Sequence, residues 1–162
     1  LDYEAELAVI IGKTATNISA ADALDYVAGY SCFNDVSVRD YQRRSTQWTM
    51  GKNFDGTGGF GPELVTADEL PNGASGLRLV ARLNGQIMQD SDTGDMIFDV
   101  ASLIATLSEV MTLDPGDVIA TGTPSGVGYA RTPPVFMKPG DVVEIEIEKI
   151  GVLKNTIARR GA

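Results

Sequence analysis

Leu77-Arg78-Leu79-Val80-Ala81-Arg82-Leu83-Asn84-Gly85-Gln86-Ile87-Met88-Gln89 reads as two strands joined by a two-residue turn. Leu77, Leu79, Ala81 and Leu83 alternate with Arg78, Val80 and Arg82, which is the side-chain period of a strand. Asn84-Gly85 then suits a type I′ turn, because that turn needs positive φ at both central positions. Toward the C-terminus the same pattern returns. After a Lys138-Pro139-Gly140 turn, Val143, Ile145 and Ile147 alternate with Glu144, Glu146 and Glu148, a strand with an acidic outer face. Val152–Ile157 is expected to pair back across Gly151. Toward the N-terminus, Glu4–Ile11 reads as a strand with Leu7–Ile11 as its buried end, and Tyr30–Asn34 as a short strand. Val118–Thr121 is another, after the Asp114-Pro115-Gly116 turn.

Helices are few. Steps of three and four between Met96, Val100, Leu103, Ile104, Leu107 and Val110 predict one helix with a single buried face. Ser19-Ala20-Ala21-Asp22 predicts a helix start and Gly29 its stop. Residues 56–62, with four glycines and Pro62, predict loop. The sum is a β-rich α+β fold with a single core, one domain over residues 1–162.

Composition narrows the function. The chain has 162 residues, 43% hydrophobic and 22% charged, which are globular values. Its formal charge of −9 opposes binding to phosphate backbones or anionic lipid, so neither nucleic acid nor membrane is expected as a partner. No apolar run approaches the ~18 residues of a membrane span. One cysteine, Cys32, permits no internal disulfide, and a cytoplasmic location is expected. The absence of histidine excludes Ser-His-Asp and Cys-His catalysis and histidine metal ligation within these residues. The chain opens Leu-Asp-Tyr-Glu and enters a strand pattern at once, which suggests that an upstream segment precedes it.

Four groups of residues can carry chemistry. Glu4 and Glu6, two apart on a strand, share a face roughly 6–7 Å apart along the backbone. They are either a charged sheet edge or a pair of oxygen ligands for Mg²⁺ or Mn²⁺. Asp35, Arg39 and Gln42 share one face if their segment is helical, either as a cap with an i,i+4 pair or as a ligand beside a carboxylate-gripping arginine. Lys52, just ahead of the glycine-rich segment, is either a surface lysine or a cation near developing oxyanion charge. Thr121-Gly122-Thr123-Pro124-Ser125-Gly126-Val127-Gly128 ends a strand as a plain turn or as an oxygen-binding nest. Gly56-Thr57-Gly58-Gly59-Phe60-Gly61 matches a dinucleotide fingerprint formally, but no hydrophobic strand precedes it and Pro62 follows where a helix would open.

In order along the chain stand Asp2-Tyr-Glu4-Ala-Glu6-Leu…Ile11-Gly12-Lys13, Asn34-Asp35-Val-Ser-Val-Arg39-Asp40 and Gly51-Lys52-Asn-Phe54-Asp55…Gly61-Pro62. Asn84-Gly85…Gln89-Asp90, Leu113-Asp-Pro115-Gly116-Asp117 and Thr121-Gly122-Thr123-Pro124-Ser-Gly126-Val-Gly128 complete the series. Taken together, this series resembles the fumarylacetoacetate hydrolase family over nearly the whole chain. The resemblance implies a mixed β-roll and a homodimer. It implies a Mg²⁺ or Mn²⁺ site made by Glu4, Glu6 and Asp35, with Arg39, Gln42, Lys52 and Thr121 around a small 2-oxo acid. Members of the family cleave, decarboxylate, isomerise or hydrate such acids, often from aromatic breakdown. Many carry an upstream histidine, paired with a lid glutamate, that activates water, and this chain has no histidine. The expected function is metal-dependent hydrolysis of a C–C bond in an acylpyruvate through an enolate. The alternatives are isomerisation or decarboxylation of a 2-hydroxymuconate-like diacid on the same site, or a catalytically silent metal-binding module.

Overall fold

Eight strands form two four-stranded antiparallel sheets, and the computed structural model describes them within residues 1–159. The first sheet has the order β3-β2-β1-β6, from Gly59–Thr66, Val27–Asn34, Ala5–Ile11 and Val118–Ala120. The second has the order β5-β4-β7-β8, from Gln86–Asp92, Arg78–Leu83, Val142–Ile147 and Gly151–Thr156. The Asn84-Gly85 hairpin forms as expected: both residues have positive φ, 51° and 80°, and Leu83 pairs with Gln86. Strand β7 lies between β4 and β8, so its Val143, Ile145 and Ile147 are buried while its glutamates face outward.

The alternation along β1 decides where the site lies. Ala5, Leu7, Val9 and Ile11 enter the core between the sheets, together with Leu79, Ala81, Ile145 and Leu153. Glu6 therefore points to the opposite face, as does Glu4 just ahead of the strand. Helix α1 is short, Arg39–Gln42, and α2 spans Val100–Val110 with Val100 and Ile104 buried. Asp99 caps α2, its Oδ1 accepting from Ser102 N–H at 2.8 Å.

Four local expectations change. The helix expected from Ser19 is a single 3-10 turn, Ala23–Tyr26. Ser19 Oγ donates to Asp22 Oδ2 at 2.7 Å, so neither side chain caps the turn. Gly29 is not a helix stop but lies inside β2, where an added Cβ would collide with the Val65 carbonyl oxygen of β3. Of the segment expected as loop, residues 56–58 are loop and residues 59–62 open β3 instead: Gly59 pairs with Asn34 and Phe60 with Phe33. This is an edge strand, where Pro62 is tolerated. A Cβ at Gly59 would lie 2.6 Å from Asn155 Oδ1 of β8, so glycine here permits the close approach of the two sheets. Asp35 is not helical either; it follows the end of β2, and α1 begins only at Arg39.

Candidate metal centre

Glu4 and Glu6 come from β1 and Asp35 from the end of β2. The antiparallel register sets Ala5 against Asn34 and Glu6 against Phe33. Asp35 N–H donates to the Glu4 carbonyl at 2.9 Å, which brings its side chain beside theirs. The three residues each offer a carboxylate oxygen within 4.8 Å of the others. Glu4 is 8% exposed and Glu6 3%. Three carboxylates this close and this buried repel one another unless positive charge lies among them.

Part of that charge is built in. Lys52 Nζ lies 2.8 Å from Glu4 Oε2, 2.6 Å from Asp35 Oδ2 and 2.7 Å from Ser37 Oγ. Burial opposes the lysine's charge, but the bonds to Asp35 and Glu4 outweigh it and hold its pKa above the ordinary value. Its position depends on Gly51, which packs directly on α1: a Cβ there would lie 2.6 Å from Gln42 Cα. Val38 N–H also donates to the Gly51 carbonyl at 2.8 Å.

Arg39 serves Glu4 from the other side. Its Nη2 pairs with Glu4 Oε1 at 2.6 Å, its Nε donates to Asp2 Oδ2 at 2.9 Å, and its Nη1 donates to Gln42 Oε1 at 2.9 Å. The Nη2–Glu4 contact is thus a buried, close ion pair. Asp2 is fully buried and also accepts from the backbone N–H groups of Gly128 and Tyr129, at 2.7 and 3.0 Å. The Arg39 guanidinium lies 4.6 Å from the Tyr129 ring centroid.

Glu6 differs. No lysine or arginine among the described residues lies within ion-pair distance of it. Its one bond is from Gly122 N–H to Oε2, at 2.9 Å. Burial raises its pKa from 4.5 to about 7, assisted by the charges of Asp35 and Glu4. Four carboxylates, Asp2, Glu4, Glu6 and Asp35, face two cations, Arg39 and Lys52, which leaves two negative charges when all are ionised. That deficit and an oxygen-only donor set fit a hard divalent cation.

Of the residues expected at the site, Glu4, Glu6, Asp35, Lys52 and Arg39 form one contact network, and Gln42 joins it through Arg39. Thr121 stands one residue from the Glu6–Gly122 bond, and its Oγ1 donates to the Leu7 carbonyl at 2.9 Å. It lines a cavity of about 510 Å³, walled also by Leu7, Leu79, Met96 and Phe98. Two participants escaped the sequence reading. Asp2 was signalled by its place two residues before Glu4, in the same alternation as Glu4 and Glu6. Ser37 carried no signal, because only the fold brings its hydroxyl to Lys52.

Residues 1–158 match the model of the fumarylacetoacetate hydrolase C-terminal domain. The chain belongs to this family. It is 49% identical over 157 residues to an oxaloacetate tautomerase of Bacillus subtilis, covering 97% of this chain and 52% of that protein. Its structure matches a fumarylacetoacetate hydrolase from Exiguobacterium antarcticum with a TM-score of 0.94, at 45% identity, covering 99% of this chain and 57% of that one. It also matches a fumarylpyruvate hydrolase from Pseudomonas aeruginosa in complex with Mn²⁺ and pyruvate. There the TM-score is 0.86 and the identity 32%, covering 97% of this chain and 65% of that one. The chain spans about half the length of the curated relatives it matches. The β-rich α+β architecture is thus that of the family. Among the described residues no helix is long and apolar enough to cross a membrane.

Proposed function

We propose that this domain enolises small 2-oxo acids with a divalent cation, Mg²⁺ or Mn²⁺, held by Glu4, Glu6 and Asp35. The observation that carries the reading is the surplus of two negative charges in a buried cluster whose third carboxylate, Glu6, has no cationic partner among the described residues. A bound cation supplies Lewis acidity to the 2-oxo carbonyl of the substrate.

The remaining work falls to the chain's own groups. Lys52 keeps its proton and adds positive charge where the enolate oxygen develops, so it favours the transition state over the ground state. Arg39 is held over the Tyr129 ring and tied to Asp2, which fixes Glu4. The Arg39 guanidinium, with Gln42 beside it, is proposed to attract the substrate carboxylate by its charge, and Thr121 to border the substrate on the other side. Such a site holds a reactant in register and lowers the barrier to losing a proton next to the carbonyl.

Keto–enol interconversion of a small 2-oxo diacid such as oxaloacetate needs no activated water as nucleophile: the proton on carbon passes to a solvent base, and solvent returns one to the enolate oxygen. The likeness to the tautomerase supports it. Hydrolysis of the C–C bond in an acylpyruvate is the second reading, supported by the likeness to the fumarylpyruvate hydrolase. It uses the same enol step but also a group that activates water, which a chain without histidine must find elsewhere. The test follows oxaloacetate tautomerisation by enol absorbance, and acylpyruvate cleavage by product analysis, each with Mn²⁺ and with chelator. Tautomerisation that Mn²⁺ supports and chelator abolishes is expected. Rates equal with and without metal would refute the reading, and metal binding with neither activity would identify a silent module.

A further inference from the structure

Gln89, on β5 of the second sheet, is 2% exposed and yet fully bonded. Its Oε1 accepts from Ala5 N–H at 3.0 Å, and its Nε2 donates to Thr123 Oγ1 at 2.8 Å and to the Pro124 carbonyl at 2.9 Å. Ala5 is the residue between Glu4 and Glu6. On that edge of β1 the partner strand is β6, which pairs only with Ala8, Val9 and Ile10. The last backbone link is Thr121 N–H to the Leu7 carbonyl, at 3.2 Å. Past it the chain leaves β1 and turns over the site, so Ala5 N–H would be buried without an acceptor. An orphan of that kind is rare and destabilising.

The Gln89 carboxamide takes the place of the departed strand. It also grips the departing segment, residues 121–126. That segment packs tightly on β5: a Cβ at Gly126 would collide with the Met88 carbonyl and lie 3.3 Å from Gln89 Cγ. The same segment carries the Gly122 N–H that holds Glu6 Oε2. Only a side chain with one acceptor and two donors closes this arrangement; an ionised glutamate lacks the donors and leucine lacks both.

We infer that Gln89 is a positioning residue for the metal-binding strand, fixing β1 between its two glutamates and the 121–126 segment on Glu6. The inference rests on the metal-site reading proposed above. A partner of this kind orients a ligand without touching the cation, and removing one weakens metal binding by about 10- to 100-fold.

The experiment compares the wild-type chain with Gln89→Leu and Thr123→Val. Mn²⁺ binding is measured by calorimetry, together with amide hydrogen exchange at Ala5 and Gly122 and the thermal midpoint. Gln89→Leu is expected to bind Mn²⁺ about 10- to 100-fold more weakly and to lose protection at both amides. Thr123→Val removes one of the three bonds and is expected to lose affinity in the same direction, by less. A lower thermal midpoint with wild-type Mn²⁺ affinity would show a purely structural role and overturn the inference. If Gln89→Leu does not fold, Thr123→Val decides, and unchanged affinity there overturns it. A wild-type chain that binds no Mn²⁺ would refute the metal-site reading itself, and the inference with it.

Discussion

Replacing Glu6 with glutamine should stabilise the metal-free protein at pH 8 and leave it nearly unchanged at pH 4. Glu6 is 3% exposed, and its pKa is pushed from 4.5 to about 7, chiefly by burial. Between those values the native state holds a proton that the unfolded chain has released. The contribution of Glu6 to stability therefore falls as pH rises from 4.5 to about 7, and is constant on either side. Each pH unit of that window corresponds to about 1.4 kcal/mol, so ionising Glu6 inside the fold costs about 3 kcal/mol. Glutamine keeps an oxygen for Gly122 N–H and carries no charge, so Glu6→Gln recovers up to that amount above pH 7. For a chain of this length the gain is a rise of about 6–12 °C in Tm. The assay is thermal unfolding of both proteins in chelator at pH 4 and pH 8, repeated at pH 8 with Mn²⁺. The metal at 100 times its Kd should add about 2.7 kcal/mol to the wild type and almost nothing to the variant. Equal midpoints at pH 8, or the same difference at both pH values, would refute the assignment of Glu6 as the carboxylate in need of a cation.

Steady-state kinetics should separate Lys52 from the metal ligands. Lys52→Met should lower kcat about 10²–10³-fold, with little change in KM and no rescue by excess Mg²⁺. Asp35→Asn weakens the cation site instead, so raising Mg²⁺ should restore part of its activity; identical metal profiles would contradict the division of roles. Gly51→Ala should destabilise the protein by about 1–3 kcal/mol and lower activity, because the new Cβ meets α1 and displaces Lys52; denaturant unfolding measures it. Sedimentation should show a homodimer at micromolar concentration, and a monomer alone would contradict the expected assembly.

The strands were legible because β4 and β7 bury one face each and so alternate openly, and because Asn84-Gly85 admits a single turn type. The helix stop at Gly29 and the loop over residues 56–62 misled for a common reason. Glycine at these positions answers a close approach between strands, to Val65 and Asn155, and that contact is not local in sequence. The site was legible in part for the same physical reason. Glu4 and Glu6 are marked by charge in a strand alternation, while Asp35 stands just past the end of β2. Asp2 shares the alternation of Glu4 and Glu6, but its role appears only when Arg39 and the Gly128-Tyr129 pair arrive from two other segments. Gln89 looks like an ordinary polar residue of a hairpin until β1 loses its partner strand beside it.

The distribution of charge within the site follows from this asymmetry. Glu4 is paired with two cations, Asp35 with one and Glu6 with none. An even distribution would make the cluster a closed salt-bridge network, with little left for a metal. Leaving Glu6 to a single backbone N–H concentrates the electrostatic deficit on one ligand, and a divalent cation gains most where the deficit is greatest. Arg39 and Lys52 meanwhile keep Glu4 and Asp35 in place before any ion arrives, so the ordering of those two side chains is complete in the folded chain. The site is thus preorganised on its β2 and α1 side and unsatisfied on its β6 side, where Glu6 meets the Gly122 N–H.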